Sequence, residues 1–156
     1  GTKPKFVVHA QKDPGGNGVP PGYDLQRVQI IKGWTDEFGD KQEELIELTV
    51  TPGDGSVNLG DCSVSSTVGY ANMCHYWEDT NFDSNHHVFY YARVVENPSC
   101  RWTHRQCLVA PEPINCGADP VTPAGYDACC DASVPKTVQE RSWTSPIWYQ
   151  KPPPGC

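Results

Sequence analysis

Long apolar runs are missing from this 156-residue chain. The longest, Val88 to Val95, already contains Arg93, far short of the 18 or so residues that cross a bilayer, so no membrane span is expected. Basic charge is scarce: 12 Lys and Arg face 19 Asp and Glu, a net charge of −7. The diffuse positive field that nucleic-acid binders use is absent, and no nucleic-acid partner is expected. Local chemical signatures are missing as well. The eight cysteines include no Cys-x-x-Cys pair, which argues against zinc knuckles. Among His9, His75, His86, His87 and His104 there is no His-x-His or His-Glu-x-x-His pattern, and the neighbours His86 and His87 alternate to opposite faces of a strand. All five read as surface or strand residues. No nucleophile elbow occurs, and Gly15-Gly16-Asn17-Gly18 lacks the helix and lysine that a phosphate cradle needs. Asn97-Pro98-Ser99 fails as a glycosylation sequon because of its proline. No catalytic residue, cofactor or transition metal is expected, and the chain by itself reads as no enzyme.

What is present is turn chemistry, cysteine and β-type alternation. The 14 Gly and 15 Pro make up about 19% of the chain, below the roughly 25–30% of low-complexity sequence. The cysteines, Cys62, Cys74, Cys100, Cys107, Cys116, Cys129, Cys130 and Cys156, lie mostly in polar or turn-like surroundings, which marks all eight as disulfide candidates and places the protein in an extracellular or periplasmic compartment. Gly1-Thr2-Lys3-Pro4 leads straight into a strand with no signal-peptide core, as expected of a mature or processed chain. Cys129 and Cys130 are adjacent, and bridging across one peptide bond is strained, so they should have different partners. Cys100 with Cys107, then Cys62 with Cys74, are the expected local pairs.

Phe6–Ala10 reads as a short strand closed by the Gly/Pro cluster that follows. Leu25–Trp34 reads as a second, with Val28, Ile30 and Trp34 on one face and Arg27, Gln29 and Lys32 scattered among them. Glu44–Thr51 has Ile46, Leu48 and Val50 on one side and should form a hairpin with it across the acidic stretch 36–41. Residues 88–96 are apolar in both alternating sets, as in a central strand or one covered on both faces. Residues 99–138 form a Cys/Pro-rich insertion that disulfides must organise. Arg141–Tyr149 is a last strand whose Pro146 belongs at an edge or bulge. No helix-period window of ten residues survives, so helix should be negligible. The expected fold is mainly β, an antiparallel sandwich: one domain over 1–149 carrying the 99–138 insertion, then a Pro-rich tail, 150–156, ending in Cys156.

Two weaker signals point to ligands. Asp79, Asn81 and Asp83 place oxygen atoms at every second position, like the first half of a calcium loop, but Ser84 and Tyr90 stand where that loop needs Gly and Glu. An Asx-rich turn into the central strand is the ordinary reading. Five Trp and seven Tyr would suffice for an aromatic sugar platform; Trp34, Trp143 and Trp148 lie in strand-periodic segments, where core packing is the ordinary use.

Several segments in order, Pro4–Ala10 with Lys12-Asp13-Pro14, Leu25–Trp34, Trp77–Asp83, Phe89–Pro98, Cys100–Thr103 and, most specifically, Val138–Tyr149, resemble the C-terminal part of the family catalogued as domain of unknown function 3604. The resemblance implies an immunoglobulin-like β-sandwich beside a catalytic part that looks like a metal-dependent hydrolase of the polymerase-and-histidinol-phosphatase type. The metal motifs of that family belong to the catalytic part, so no catalytic residue carries over to this chain. The many cysteines, the insertion after Trp102 and the Pro-Pro-Pro-Gly-Cys tail depart from the family pattern. Three roles are therefore expected in competition: a non-catalytic extracellular structural or interaction unit that self-associates through its termini, even into a filament; an accessory domain packed against an absent N-terminal catalytic domain; and a calcium- or carbohydrate-binding module.

Overall fold

Alternation of side chains sets the two faces of every long strand. In the computed structural model, which describes residues 2–49, 55–64 and 67–152, β1 (Lys5–Gln11), β2 (Leu25–Thr35), β3 (Lys41–Glu47), β4 (Asn72–Glu78) and β5 (His87–Glu96) build two antiparallel sheets. A short strand β6 (Ser99–Cys100), helices α1 (Trp102–Leu108) and α2 (Asp127–Cys130) and strand β7 (Thr137–Val138) follow. The chain ends in β8 (Arg141–Trp143) and β9 (Ile147–Tyr149).

The large sheet runs β3-β2-β5-β8, with β9 also on β5; the small sheet is β1 with β4. β5 is thus central, as its doubly apolar sequence implies. The last strand breaks in two around Pro146, and both halves pair with β5, at Arg93↔Trp143 and Phe89↔Trp148. Proline cannot continue the ladder, so Thr144 bridges the gap: its N–H donates to the Ala92 carbonyl and its hydroxyl accepts from the Ala92 N–H. In the β2–β3 turn, the Asp36 carboxylate accepts the N–H groups of Phe38 and Asp40, and Gly39 takes φ +87°, which glycine adopts without strain. β4 has no counterpart in the strand reading above. Its inward set is Met73, His75 and Trp77, and the histidine blurs the apolar rhythm. Val50 of the expected hairpin lies outside the described residues.

The small sheet lies across one face of the large one. Leu25, Val28 and Met73 form one buried cluster with Val8 and Ala10 against it; Ile30, Val88 and Tyr90 form another, covered by Phe6, Trp77 and Trp34. Each such apolar side chain removed from water contributes roughly 1.5–3 kcal/mol.

Helix is short rather than negligible. α1 and α2 sit in the insertion and bury no residue fully, and seven and four residues are too few to show a helical period in sequence. β6 and β7 pair at the root of the insertion, Ser99↔Val138 and Cys100↔Thr137. Three disulfides join Cys62–Cys100, Cys107–Cys129 and Cys116–Cys130. Cys129 and Cys130 have separate partners. The expected pairings Cys100–Cys107 and Cys62–Cys74 do not form. α1 carries Cys107 toward α2, Cys100 stays in the root ladder where Cys62 reaches it, and Cys74 is a free thiol on the exposed face of β4. Cys156, the remaining disulfide candidate, lies outside the described residues.

Lys32 is the largest departure from the strand reading. It falls on the inward face with Val28 and Ile30, and its ammonium lies 2.6 Å from Asp79, the side chains being 5% and 2% exposed. The Tyr90 hydroxyl donates to the same carboxylate at 2.7 Å. Burial and the neighbouring Asp79 charge push the Tyr90 phenol far above its ordinary ionisation range, so it stays a donor. A buried pair stabilises little net of desolvation, but removing one partner strands the other. Asp79→Asn should lower unfolding free energy by about 3–5 kcal/mol in denaturant titrations, and Lys32→Met with Asp79→Leu should recover most of that loss; equal loss in the single and double variants would refute the pairing argument.

Candidate functional site

Two surfaces leave the packed core open to approach or carry side chains outside it. The first is a seam between the sheets beside β1. Here a groove of about 300 Å³ continues into one of about 220 Å³, with Leu25, Ile30, Ala92 and Val94 as its floor and Thr144 on the far wall. The β1–β4 ladder shows which backbone groups face it. Lys12 donates to the Ala71 carbonyl and Asp79 donates to the Pro4 carbonyl. The even-numbered residues of β1 are therefore the hydrogen-bonded ones, and the N–H and C=O groups of Lys5, Val7, His9 and Gln11 point to the other edge, along the groove. On β4, the inward-facing His75 ring contacts the Thr49 hydroxyl.

Glu96 and Glu140 close one end of this groove. Burial raises the Glu96 carboxyl above its ordinary value of 4.5, opposed by a hydrogen bond from the Tyr23 N–H and reinforced by Glu140 and Asp13. The folded protein thus holds this proton more tightly than the unfolded chain, and stability falls as pH rises through the interval from 4.5 upward.

The second surface is the outer face of the large sheet. The ladders place Arg27, Val95 and Arg141 in one cross-strand row, and Glu47, Gln29, Arg93 and Trp143 in the next. Ile31 pairs with Tyr91 in a third row, and Gly33, Phe89 and Trp148 make a fourth. Hydrogen bonds lock the second row: Gln29 Nε2 donates to Glu47 at 2.6 Å and Arg93 Nε donates to Gln29 Oε1 at 2.7 Å. The three arginines border a cleft of about 380 Å³ with Gln29 and Gln139. Beside it, Phe89, Tyr91, Trp143, Pro146 and Trp148 line an apolar hollow of about 310 Å³. Phe89 and Tyr91 lie nearly parallel, and Phe89 meets Trp148 at 5.1 Å between centroids. Glycine at position 33 is required: a Cβ there would sit 2.3 Å from the Phe89 ring.

Core packing is therefore the wrong use for two of the three strand tryptophans. Trp34 packs against the core, but Trp143 and Trp148 are 58% and 67% exposed, because the second sheet covers only the opposite face. The arginines were readable from β-parity, since Arg27 and Gln29 share a face, yet placing Lys32 with them hid the pattern.

Asp79, Asn81 and Asp83 serve a turn and the core. The Asp79 carboxylate accepts the Asn81 N–H and holds Lys32 and Tyr90, while Asp83 accepts both the backbone and side-chain N–H of Asn85. Among the described residues one group has metal-ligand spacing, Cys62, Cys100 and His104, but the two sulfurs are bonded to each other and His104 contacts the Leu59 carbonyl. No helix among the described residues is long and apolar enough to cross a membrane.

The segments that carry both surfaces are also those on which the family resemblance rests. The model of a family described as "Protein of unknown function (DUF3604)" matches residues 1–151. The chain belongs to this family. The DUF3604 match takes in both sheets and the whole disulfide-braced insertion. Neither a curated protein nor a solved structure matches the chain.

Glu96→Gln should gain stability over the wild type as pH rises above 4.5, because the fold disfavours ionisation of Glu96, and should lose that advantage toward about pH 3, where both side chains are neutral. Chemical denaturation across this range measures it; an advantage independent of pH would show that the substitution acts through packing.

Proposed function

We propose that this chain is a non-catalytic, extracellular β-sandwich of immunoglobulin-like layering whose work is association, and that it self-associates by adding a strand to its small sheet. The observation that carries this reading is the open edge of β1 beside a groove floored by core residues. A two-stranded sheet leaves that floor half covered, and its edge presents unpaired donors and acceptors in register with an apolar slot. At the opposite edge of the large sheet, β3 is guarded by Lys41, Glu43, Glu44 and Glu47, whereas Val7 on β1 is 71% exposed. Three disulfides support the extracellular placement. The occupant of the groove is β1 of a second copy, paired antiparallel about the Val7–His9 region.

DUF3604 membership supports a second reading, in which the same groove is filled by an adjoining catalytic part of a metal-dependent hydrolase. Sedimentation velocity separates the two. Under the first reading the 156-residue chain associates as concentration rises, and Val7→Pro abolishes association. That substitution removes an N–H aimed at the free edge while leaving the β1–β4 hydrogen bonds intact. A monodisperse wild-type monomer at the highest attainable concentration would end the self-association reading and leave the accessory one.

A further inference from the structure

The outer face of the large sheet has a different character from the seam: Arg141 and Trp143 border both, whereas Arg27, Arg93, Phe89 and Trp148 border the outer face alone. Three of the chain's five arginines project there, on a protein of net charge −7. Local sign and overall sign disagree, so this cleft is a point of attraction for anions on a surface that otherwise repels them. We propose that this face binds a uronic-acid-bearing polysaccharide, its carboxylates on the arginines and its sugar rings on the adjoining aromatic side chains.

The register supplies the argument. Arg141 lies one row from Arg93 on the neighbouring strand, and the Arg93 guanidinium is held by its Nε bond to Gln29, which leaves both terminal amino groups unused by that bond. Two guanidinium groups so placed present planar forks that match a carboxylate. Glu47 stands at the other end of the same row, across Gln29 and beside Arg27, so the anion seats on the Arg141 side. Trp143 shares the Arg93 row, and Trp148 follows two rows on. Rows are separated by two residues, so the four rows cover roughly 20 Å along the strands, an extended track rather than a single pocket.

The ligand class follows from combining these features. Exposed indole rings stack on the flat C–H faces of pyranoses. A uronic acid carries its charge at the ring edge and leaves those faces open. Dense sulfation would crowd and hydrate them, and a neutral sugar would leave the arginines without a purpose. Gly33 completes the track by letting the Phe89 ring lie down on the sheet.

The test is titration of the 156-residue chain with mannuronate oligosaccharides at near-physiological salt, read by tryptophan emission and by calorimetry. Binding with a shift in emission is expected. Arg93→Met with Arg141→Met, and separately Trp148→Ala, should each weaken binding tenfold or more, while the exposed pair Lys41→Ala with Lys151→Ala leaves it unchanged. The tryptophan and lysine variants should keep the wild-type melting temperature within a few degrees, since Trp148, Lys41 and Lys151 are exposed, and Arg141→Met alone, which leaves the Arg93–Gln29 bond in place, should weaken binding in the same sense. No binding by the wild type at millimolar oligosaccharide overturns the proposal. So does tighter binding of a sulfated glucan, or a loss that the lysine pair reproduces, because either would reduce the site to diffuse charge.

Discussion

The β2–β5 ladder is the constraint on which the molecule depends. It pairs residues from Leu25↔Glu96 to Thr35↔His87 with one irregularity near its start; β3, β8 and β9 pair with one of these two strands, and β1 and β4 lie across them. Because side chains alternate strictly, this register alone sends Val28, Ile30 and Lys32 to the core and Arg27, Gln29 and Gly33 to the outside. A slip of β2 by one residue would turn Arg27 and Gln29 under β1 and expose Val28 and Ile30. Such a slip is far too unfavourable to be populated, so both faces are specified together.

The Lys32–Asp79 pair adds a second restriction. The lysine belongs to the large sheet and the aspartate follows the last strand of the small one, so the salt bridge pins the two layers at one end. Cys62–Cys100 pins the other loops to the point where β5 hands over to the insertion. Between these fixed points the layers meet mainly through apolar contact, with the Leu25–Tyr70 backbone bonds and the Thr49–His75 contact as polar ties, and the seam lies open beside β1.

Long alternating segments made β1, β2, β3 and β5 legible in the sequence, and Pro146 announced the break in the last strand. β4 was not legible because His75 occupies an inward position and Cys74 drew attention as a disulfide candidate. Disulfide partners follow from where α1 and α2 point, which spacing does not encode. The candidate surfaces are harder still. A seam groove arises from how much of one sheet another covers, a property of no single segment, and the arginine rows join residues 27, 93 and 141, which only the ladders bring together. Trp143 and Trp148 read as inward from the sequence because strand alternation gives two faces without saying which is covered.

The root of the insertion has a consequence for how this protein tolerates change. Residues 101–136 leave and re-enter the domain through the β6–β7 ladder, so their two ends are about 5 Å apart. Two of the three disulfides close entirely within that stretch. Beyond the contacts of His104 with Leu59 and Arg105 with Tyr23, the lobe is held by its own bridges, so its length and content can change without altering the distance the sheet must span. Surface diversity in this protein can accumulate there while the ladders that build both candidate surfaces stay as they are.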